Sequence, residues 1–231
     1  MHEVTTPELM ACPVRTSRTK RLVDCVTSAA GLLIASPLLA GIAAWVALEE
    51  GRPVLFVQQR TGLDGRPFRM LKFRTMVADA VAAGQRSGLT GEDPFGLIED
   101  DPRITRSGRL LRRTSLDELP QLWNVLRGEM SLVGPRPDLP EQSSHYTAAD
   151  RRRLAARPGI TGWAQVNGRD ELPWPDRYLL DAWYIEHWSF RLDLEIVLLT
   201  VRALGRPDPI AVPDEHNMQR RRDLPEAVPG A

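Results

Sequence analysis

Residues 25–48, CVTSAAGLLIASPLLAGIAAWVAL, form an uncharged apolar run of 24 residues, and the reading of that run decides the architecture. A helix rises about 1.5 Å per residue, so a run of this length covers a hydrocarbon core of roughly 30 Å. The pair Ser36-Pro37 at its centre argues against a straight rod. Proline removes a backbone donor, crowds the carbonyl of Leu33 and biases Ser36 away from helical dihedrals. A chain that breaks there and turns back has two arms of about 12 residues, each about 18 Å long and a little more than one leaflet deep. The run therefore reads either as an N-terminal spanning anchor with a tolerated proline or as a re-entrant hairpin. A cleaved signal peptide fits poorly, because the run is longer than a usual h-region and ends in Leu48-Glu49-Glu50 instead of small residues.

Arg15, Arg18, Lys20 and Arg21 precede the run, which places the N-terminus in the cytoplasm under the positive-inside rule. A spanning helix would export everything after Leu48; a hairpin would return it to the cytoplasm. At 231 residues the chain supports one membrane element and one compact domain. The formal net charge is +0, yet the arginines cluster at 103, 106, 109, 112 and 113 and again at 151, 152, 153 and 157. Such clusters suit anionic headgroups, phosphates or plain water. No nucleic-acid partner is expected, since the clusters carry no nucleic-acid motif and the overall charge is neutral. Cys12 and Cys25 provide neither a disulfide framework nor a metal-thiolate site.

The organisation divides into a polar, mobile tail at 1–19, the membrane helix at 20–50, a folded domain at 51–213 and a charged, mobile tail at 214–231. Within the domain, residues 53–58 read as a strand, Gly62 to Pro67 as a turn and Phe68 to Met76 as a second strand, together a hairpin. Alternation puts Phe68, Met70, Lys72 and Arg74 on one face, so Lys72 and Arg74 project together. Taken alone, the pair is also what a solvated strand face looks like. Gly84 to Asp101 reads as a mobile loop.

Ser107 to Gly128 is the densest segment. Gly108 to Arg113 suits a short basic helix, and Leu116, Leu119, Leu122, Trp123 and Leu126 recur at amphipathic helical spacing. Ser115-Leu-Asp-Glu118 has the form of a capping box, in which Asp117 merely complements the helix end. Pro120 weakens that box, because with Ser115 as cap it falls inside the helix. In either register Asp117 opens the helix. A helix start with Arg112 and Arg113 just upstream is also where a phosphate is held. A carboxylate there, kept ionised by positive surroundings, is placed to attack bound phosphorus, with Glu118 free to bind a metal or handle protons.

Downstream, Gly134-Pro-Arg-Pro137 presents Arg136 from a stiff backbone, as a proline-rich connector with a solvent-facing arginine would also do. Residues 157–165, RPGITGWAQ, offer two glycines that permit a ligand to approach the backbone, or else a plain turn into a strand. A mostly apolar helix follows at 192–204, with Trp183, Tyr184 and Trp188 suited to a membrane-water interface or to a core. His187 and His145 lack partners at metal-ligand spacing and read as structural.

From Lys20-Arg-Leu-Val-Asp24 onward the chain resembles the bacterial sugar transferases, the monotopic polyprenyl-phosphate phosphoglycosyl transferases. The resemblance runs from Lys20 to Pro213 through Ser36-Pro37, Gln59-Arg-Thr-Gly62, Lys72-Phe-Arg-Thr-Met76, Ser115-Leu-Asp-Glu-Leu-Pro-Gln121, Asn124-Val-Leu-Arg-Gly128, Met130-Ser-Leu-Val-Gly-Pro-Arg-Pro137 and Pro158-Gly-Ile-Thr-Gly-Trp-Ala-Gln-Val166. Any one of these is weak; their order and spacing are specific.

That resemblance implies transfer of a sugar-1-phosphate from a nucleotide diphosphate sugar, a UDP-sugar by expectation, to polyprenyl (undecaprenyl) phosphate, with Mg²⁺. It implies two steps through a covalent aspartyl intermediate, with Asp117 as nucleophile and metal ligand and Glu118 as the other half of the dyad. Arg112 and Arg157 match family arginines associated with phosphate binding, and Lys72, Arg74 and Arg136 are further candidates for phosphate contacts. The resemblance also implies a break at Ser36-Pro37, a re-entrant helix, and an active site on the cytoplasmic face of the bacterial inner membrane. Downstream glycosyl transferases would then be partners in glycan assembly. Two other readings are an inactive membrane-anchored scaffold on the same fold, and an enzyme joining sugar directly to sugar. The expected fold is α/β and mostly helical, with a re-entrant hairpin, interfacial amphipathic helices and a small strand element.

Overall fold

The computed structural model describes residues 12–77, 80, 101–168 and 172–203. Of the proposed mobile loop from Gly84 to Asp101 only Asp101 is among the described residues, where it is buried and paired with Arg103; the C-terminal tail lies outside them. The chain runs through α1 (Pro13–Thr16), α2 (Arg18–Glu50), β1 (Leu55–Thr61), β2 (Pro67–Phe73), α3 (Arg106–Arg113), α4 (Gln121–Arg127), β3 (Ser131–Val133), α5 (Pro140–Ser144), β4 (Gly159–Thr161), α6 (Trp163–Val166), α7 (Trp174–Glu186) and α8 (Phe190–Ala203). Among the described residues it is mostly helical, with two small sheets and one long apolar N-terminal helix.

α2 is long and apolar enough to cross a membrane. It continues through Pro37 without interruption, so the chain does not break at Ser36-Pro37 as expected. The reason lies in the side chain before the proline. Pro37 cannot donate to the carbonyl of Leu33, and Ser36 Oγ donates to it instead at 2.8 Å. A change of direction there is a bend within one helix; no loop separates two arms.

The helix is anchored at both ends. Lys20, Asp24 and Ser28, four residues apart, are buried along one stripe near its start, and Ile42 and Val46 are buried near its finish. Asp24 accepts from Ser131 Oγ at 2.8 Å and from the Leu132 amide at 3.2 Å. Ile42 and Val46 pack with Phe73 and Leu111. Between the anchors, Leu33 and Ile34 are 76% and 80% exposed. The polar N-terminal tail also ends earlier than residue 19: Cys12 and Val14 are part of the core.

β1 and β2 form the expected hairpin, paired antiparallel from Leu55↔Phe73 to Thr61↔Pro67. Pro67 is tolerated as the first residue of β2, where no ladder bond is lost. Phe68 and Met70 turn inward against Val125 and Met130. Lys72, two positions on, continues that face beyond the apolar cluster.

β3 and β4 pair in parallel, Ser131 opposite Gly159 and Val133 opposite Thr161. Of the two readings of Gly159 and Gly162, ligand approach or a plain turn into a strand, the strand forms, and the glycines admit backbone. A Cβ on Gly159 would lie 2.1 Å from the Gly134 nitrogen, and one on Gly162 would lie 2.2 Å from the Gly134 oxygen. The main core joins Trp163, Tyr184, Ile185 and Ile196. Tyr184 is fully buried and donates to Asp193 Oδ1 at 2.7 Å, Trp183 stacks on Trp163, and Trp188 donates to Asp193. Tyr184 therefore belongs to the core, not to a membrane surface. His187 stacks on Trp183 with ring centroids 4.5 Å apart, a structural role.

Candidate active site

The segment from Thr105 to Gln121 folds as a capped helix followed by an uncapped turn, and the turn sets the site. Thr105 caps α3 by accepting from the Gly108 amide at 2.9 Å, while its own amide donates to the Thr75 carbonyl at 3.1 Å. Gly108 makes the close approach possible, since a Cβ there would sit 2.2 Å from the Thr75 oxygen. α3 is thus laid across the end of β2, and Arg112 Nε reaches Thr75 Oγ1 at 2.9 Å.

After α3 the chain reverses through Ser115, a non-glycine residue at φ 56° in the left-handed region. A single 3-10 turn, Leu116–Glu118, follows, and α4 begins only at Gln121 with Pro120 as its N-cap. The capping box does not form: Ser115 makes no side-chain cap. Pro120 has no amide hydrogen to give to a continuous helix, so the chain delays helix formation until after it. Released from capping, Asp117 and Glu118 sit on a tight turn.

Asp117 is 7% exposed. Burial pushes its carboxyl above the ordinary range and the neighbouring Glu118 adds to that, while Lys72 and Arg112 pull it down. The positive surroundings expected from sequence are present; burial outweighs them. Glu118 is gripped by Lys72 Nζ at 2.7 Å and by Arg136 Nη1 at 3.6 Å. Burial lowers the Lys72 ammonium, opposed by Glu118. Arg112 is likewise lowered by burial, opposed by Asp117 and Asp101.

Of the five predicted cations, Lys72, Arg112 and Arg136 converge on the two carboxylates. Arg74 does not: its Nη2 donates to the carbonyls of Glu50 and Gly51, closing the C-terminus of α2. Arg157 is also elsewhere, donating to the Gly128 carbonyl at 3.0 Å beside Arg21 and Asp24. Arg60 joins the site unforeseen. It faces Arg136, Asp138 and Glu118, and burial pushes it down to about 10, with Arg136 adding to that effect. Its place inside Gln59-Arg-Thr-Gly62 was visible in sequence, but only the β1 pairing turns it inward.

Among the described residues, no cluster of three or more metal-type ligands occurs. Mg²⁺ nonetheless fits Asp117 and Glu118, because it is commonly held by one or two carboxylates completed by substrate phosphates and water. Two adjacent carboxylates, one of them raised in pKa first by burial and further by the other, form a donor set that a divalent cation would relieve.

The profile of a family described as Bacterial sugar transferase matches residues 15–206. The chain belongs to the bacterial sugar transferase family. It is 46% identical over 185 residues to an uncharacterized sugar transferase, EpsL, of Bacillus subtilis, covering 80% of this chain and 86% of that one. It is 45% identical over 201 residues to the undecaprenyl-phosphate glucose phosphotransferase of Komagataeibacter xylinus, covering 79% of this chain but 35% of that protein. Against the exopolysaccharide production protein ExoY of Rhizobium meliloti it is 38% identical over 191 residues, covering 80% of this chain and 84% of the relative. The sugar transferase thus spans most of two of these relatives and about a third of the other. The dyad and its three converging cations all lie within the matched region.

Proposed function

We propose that this bacterial sugar transferase is a phosphoglycosyl transferase that moves a sugar-1-phosphate from a UDP-sugar to polyprenyl phosphate by way of a phosphosugar ester on Asp117. The observation that carries the reading is one buried carboxylate, Asp117, set between Lys72 and Arg112 beside a second carboxylate that Lys72 and Arg136 hold. Phosphoryl transfer is mostly positioning and charge neutralisation, and this arrangement offers both. In the first step a carboxylate oxygen of Asp117 attacks the phosphorus next to the sugar. The bond from that phosphorus to the bridging oxygen breaks, and nucleoside monophosphate leaves with the electron pair. In the second step a phosphate oxygen of the lipid attacks the same phosphorus, the ester bond to Asp117 breaks and the carboxylate is restored. Arg112, Lys72 and Arg136 would neutralise the phosphate oxygens, and Glu118 would orient Asp117's surroundings or move a proton. When bound at Asp117 and Glu118, Mg²⁺ would supply further charge neutralisation at the phosphates.

Two-step transfer lets a soluble donor and a lipid acceptor use one site in turn. The attachment of α2 supports a re-entrant placement with that site on the cytoplasmic face of the inner membrane. Asp24 near its start and Glu49 near its finish are both tied to the same folded body, Glu49 accepting from the Arg106 and Ser107 amides at 2.9 and 3.0 Å. A helix crossing a bilayer would leave one of those ends on the far side. An apolar stripe on α8, with Leu194, Leu198 and Val201 at 60%, 49% and 60% exposure, offers a second lipid-facing surface.

The test is incubation of the purified protein in detergent with polyprenyl phosphate, Mg²⁺ and a panel of radiolabelled UDP-sugars. One donor is expected to label the lipid fraction and to release nucleoside monophosphate even without acceptor. Asp117→Asn is expected to lower turnover by roughly a thousandfold or more. Release that strictly requires the acceptor would overturn the covalent step, and unchanged turnover in EDTA would remove the metal from the scheme.

A further inference from the structure

The transfer scheme makes no use of Arg153, a buried arginine 4% exposed in the 3-10 helix Asp150–Ala155. Its guanidinium is shared between Asp138 and Asp181, with Nε to Asp181 Oδ2 at 3.0 Å and an ion pair to Asp138 Oδ2. Tyr146 Oη meets both Arg153 and Asp138, and the guanidinium lies 4.6 Å from the Tyr178 ring centroid. A buried ion network of this kind is a poor device for stability alone, because desolvation offsets most of its attraction. Asp181 Oδ1 is moreover buried with no hydrogen-bond partner among the described residues.

One remaining bond gives the network a use. Arg153 Nη2 donates to the backbone carbonyl of Arg136 at 2.8 Å. The segment from Pro135 to Pro137 has a single amide hydrogen, on Arg136, because proline has none. It can therefore be gripped mainly by its carbonyls, and every one of them is taken. Gly159 N donates to Pro135 O at 2.9 Å, Arg153 to Arg136 O, Arg60 Nη1 to Pro137 O at 3.2 Å, and Thr61 N to Asp138 O at 2.9 Å. The Arg136 side chain that pairs with Glu118 thus projects from a strip of backbone held at four consecutive points.

We infer that Arg153 is a positioning residue for the transfer reaction: through the Arg136 carbonyl it sets where the Arg136 guanidinium meets Glu118 and the phosphates. The inference rests on the proposed function for its catalytic readout. Arg153→Lys keeps a positive charge between Asp138 and Asp181, but one nitrogen cannot serve both aspartates and the Arg136 carbonyl. It is expected to lower kcat/KM by roughly tenfold to a hundredfold at a temperature where the variant is still folded, alongside a lowered melting temperature from the partners left unpaired. In an Arg136→Ala background the same substitution is expected to cost nothing further, because the group it positions is gone. Amide hydrogen exchange at Thr61 and Gly159, which donate to the Asp138 and Pro135 carbonyls of the same strip, is expected to quicken in Arg153→Lys.

An undiminished loss in the Arg136→Ala background, or unaltered exchange at those two amides, would overturn the inference. If Arg153→Lys does not fold, Asp181→Asn replaces it: it keeps the arginine, loosens its anchor on α7, and is held to the same two comparisons. A wild-type protein that labels lipid with no donor overturns the proposed function instead, and the exchange measurement then decides the anchoring by itself.

Discussion

Ser36 Oγ donates at 2.8 Å to the carbonyl of Leu33, the acceptor that Pro37 leaves without its helical partner. The bond explains how α2 passes a proline unbroken in its most exposed, apolar section. Ser36→Ala is expected to lower stability in detergent by about 1 kcal/mol, the usual size of one lost hydrogen bond. Replacing both residues, Ser36→Ala with Pro37→Ala, restores the amide donor and is expected to recover that loss. Thermal melts of the three proteins check it; a double variant no more stable than Ser36→Ala would show that the hydroxyl does not stand in for the missing donor.

The pH dependence of transfer follows from Asp117. Its carboxyl is raised by burial, so the ionised nucleophile is lost as pH falls at a higher pH than for an ordinary aspartate. Lys72 is the largest influence opposing that rise. Lys72→Met is expected to move the acid limb of kcat/KM to still higher pH, and Lys72→Arg to move it less. A pH-rate profile in which the acid limb of Lys72→Met stays in place would remove Lys72 from the electrostatics of Asp117.

The same burial has a consequence for stability. A carboxyl whose folded pKa lies above its unfolded value binds its proton more tightly when folded, so ionising it costs stability as pH rises through that interval. Asp117→Asn cannot ionise and is expected to melt at a higher temperature than the wild type at neutral pH. The difference should shrink as the pH falls below the ordinary carboxylate range. Equal melting temperatures at neutral pH would count against a buried, charged Asp117.

Glu49 joins the end of α2 to the helix that carries Arg112, by accepting from the first amides of α3. Glu49→Ala is expected to cost about 1 kcal/mol, the typical loss of a helix N-terminal acceptor. It is also expected to lower kcat/KM severalfold, because α3 then holds Arg112 less firmly. Denaturation and steady-state kinetics on one preparation check both; full activity with lowered stability would separate Glu49 from the site.

Gly159→Ala would place a Cβ 2.1 Å from the Gly134 backbone nitrogen, a contact that only a shift of one strand relieves. Overpacking of this kind typically costs about 1–3 kcal/mol. The expected result is a marked drop in melting temperature and in activity, since β3 leads directly into the segment bearing Arg136. Gly41→Ala, where nothing lies within 4 Å of the added Cβ, is the matched control and is expected to leave both unchanged.

The apolar run, the β1–β2 hairpin, the basic helix before the two carboxylates and the family were all legible in the order of residues. These are local: periodicity, turn residues and motif order lie within a few neighbouring positions. The sequence left open the features whose meaning depends on a distant partner. Lys72 and Arg74 alternate onto one strand face, yet Lys72 reaches Glu118 while Arg74 closes the end of α2. Arg157 sits in a segment that reads either as a ligand loop or as a plain turn into a strand, and it docks on Gly128. Ser115 to Glu118 spells a cap that Pro120 and a left-handed Ser115 prevent. Only the tertiary structure decided which cations surround the carboxylates, and which buried arginine holds the backbone beneath Arg136. The physical reason is that a charged side chain spends its long reach wherever packing first offers an acceptor, and that place is set by contacts between segments far apart in the chain.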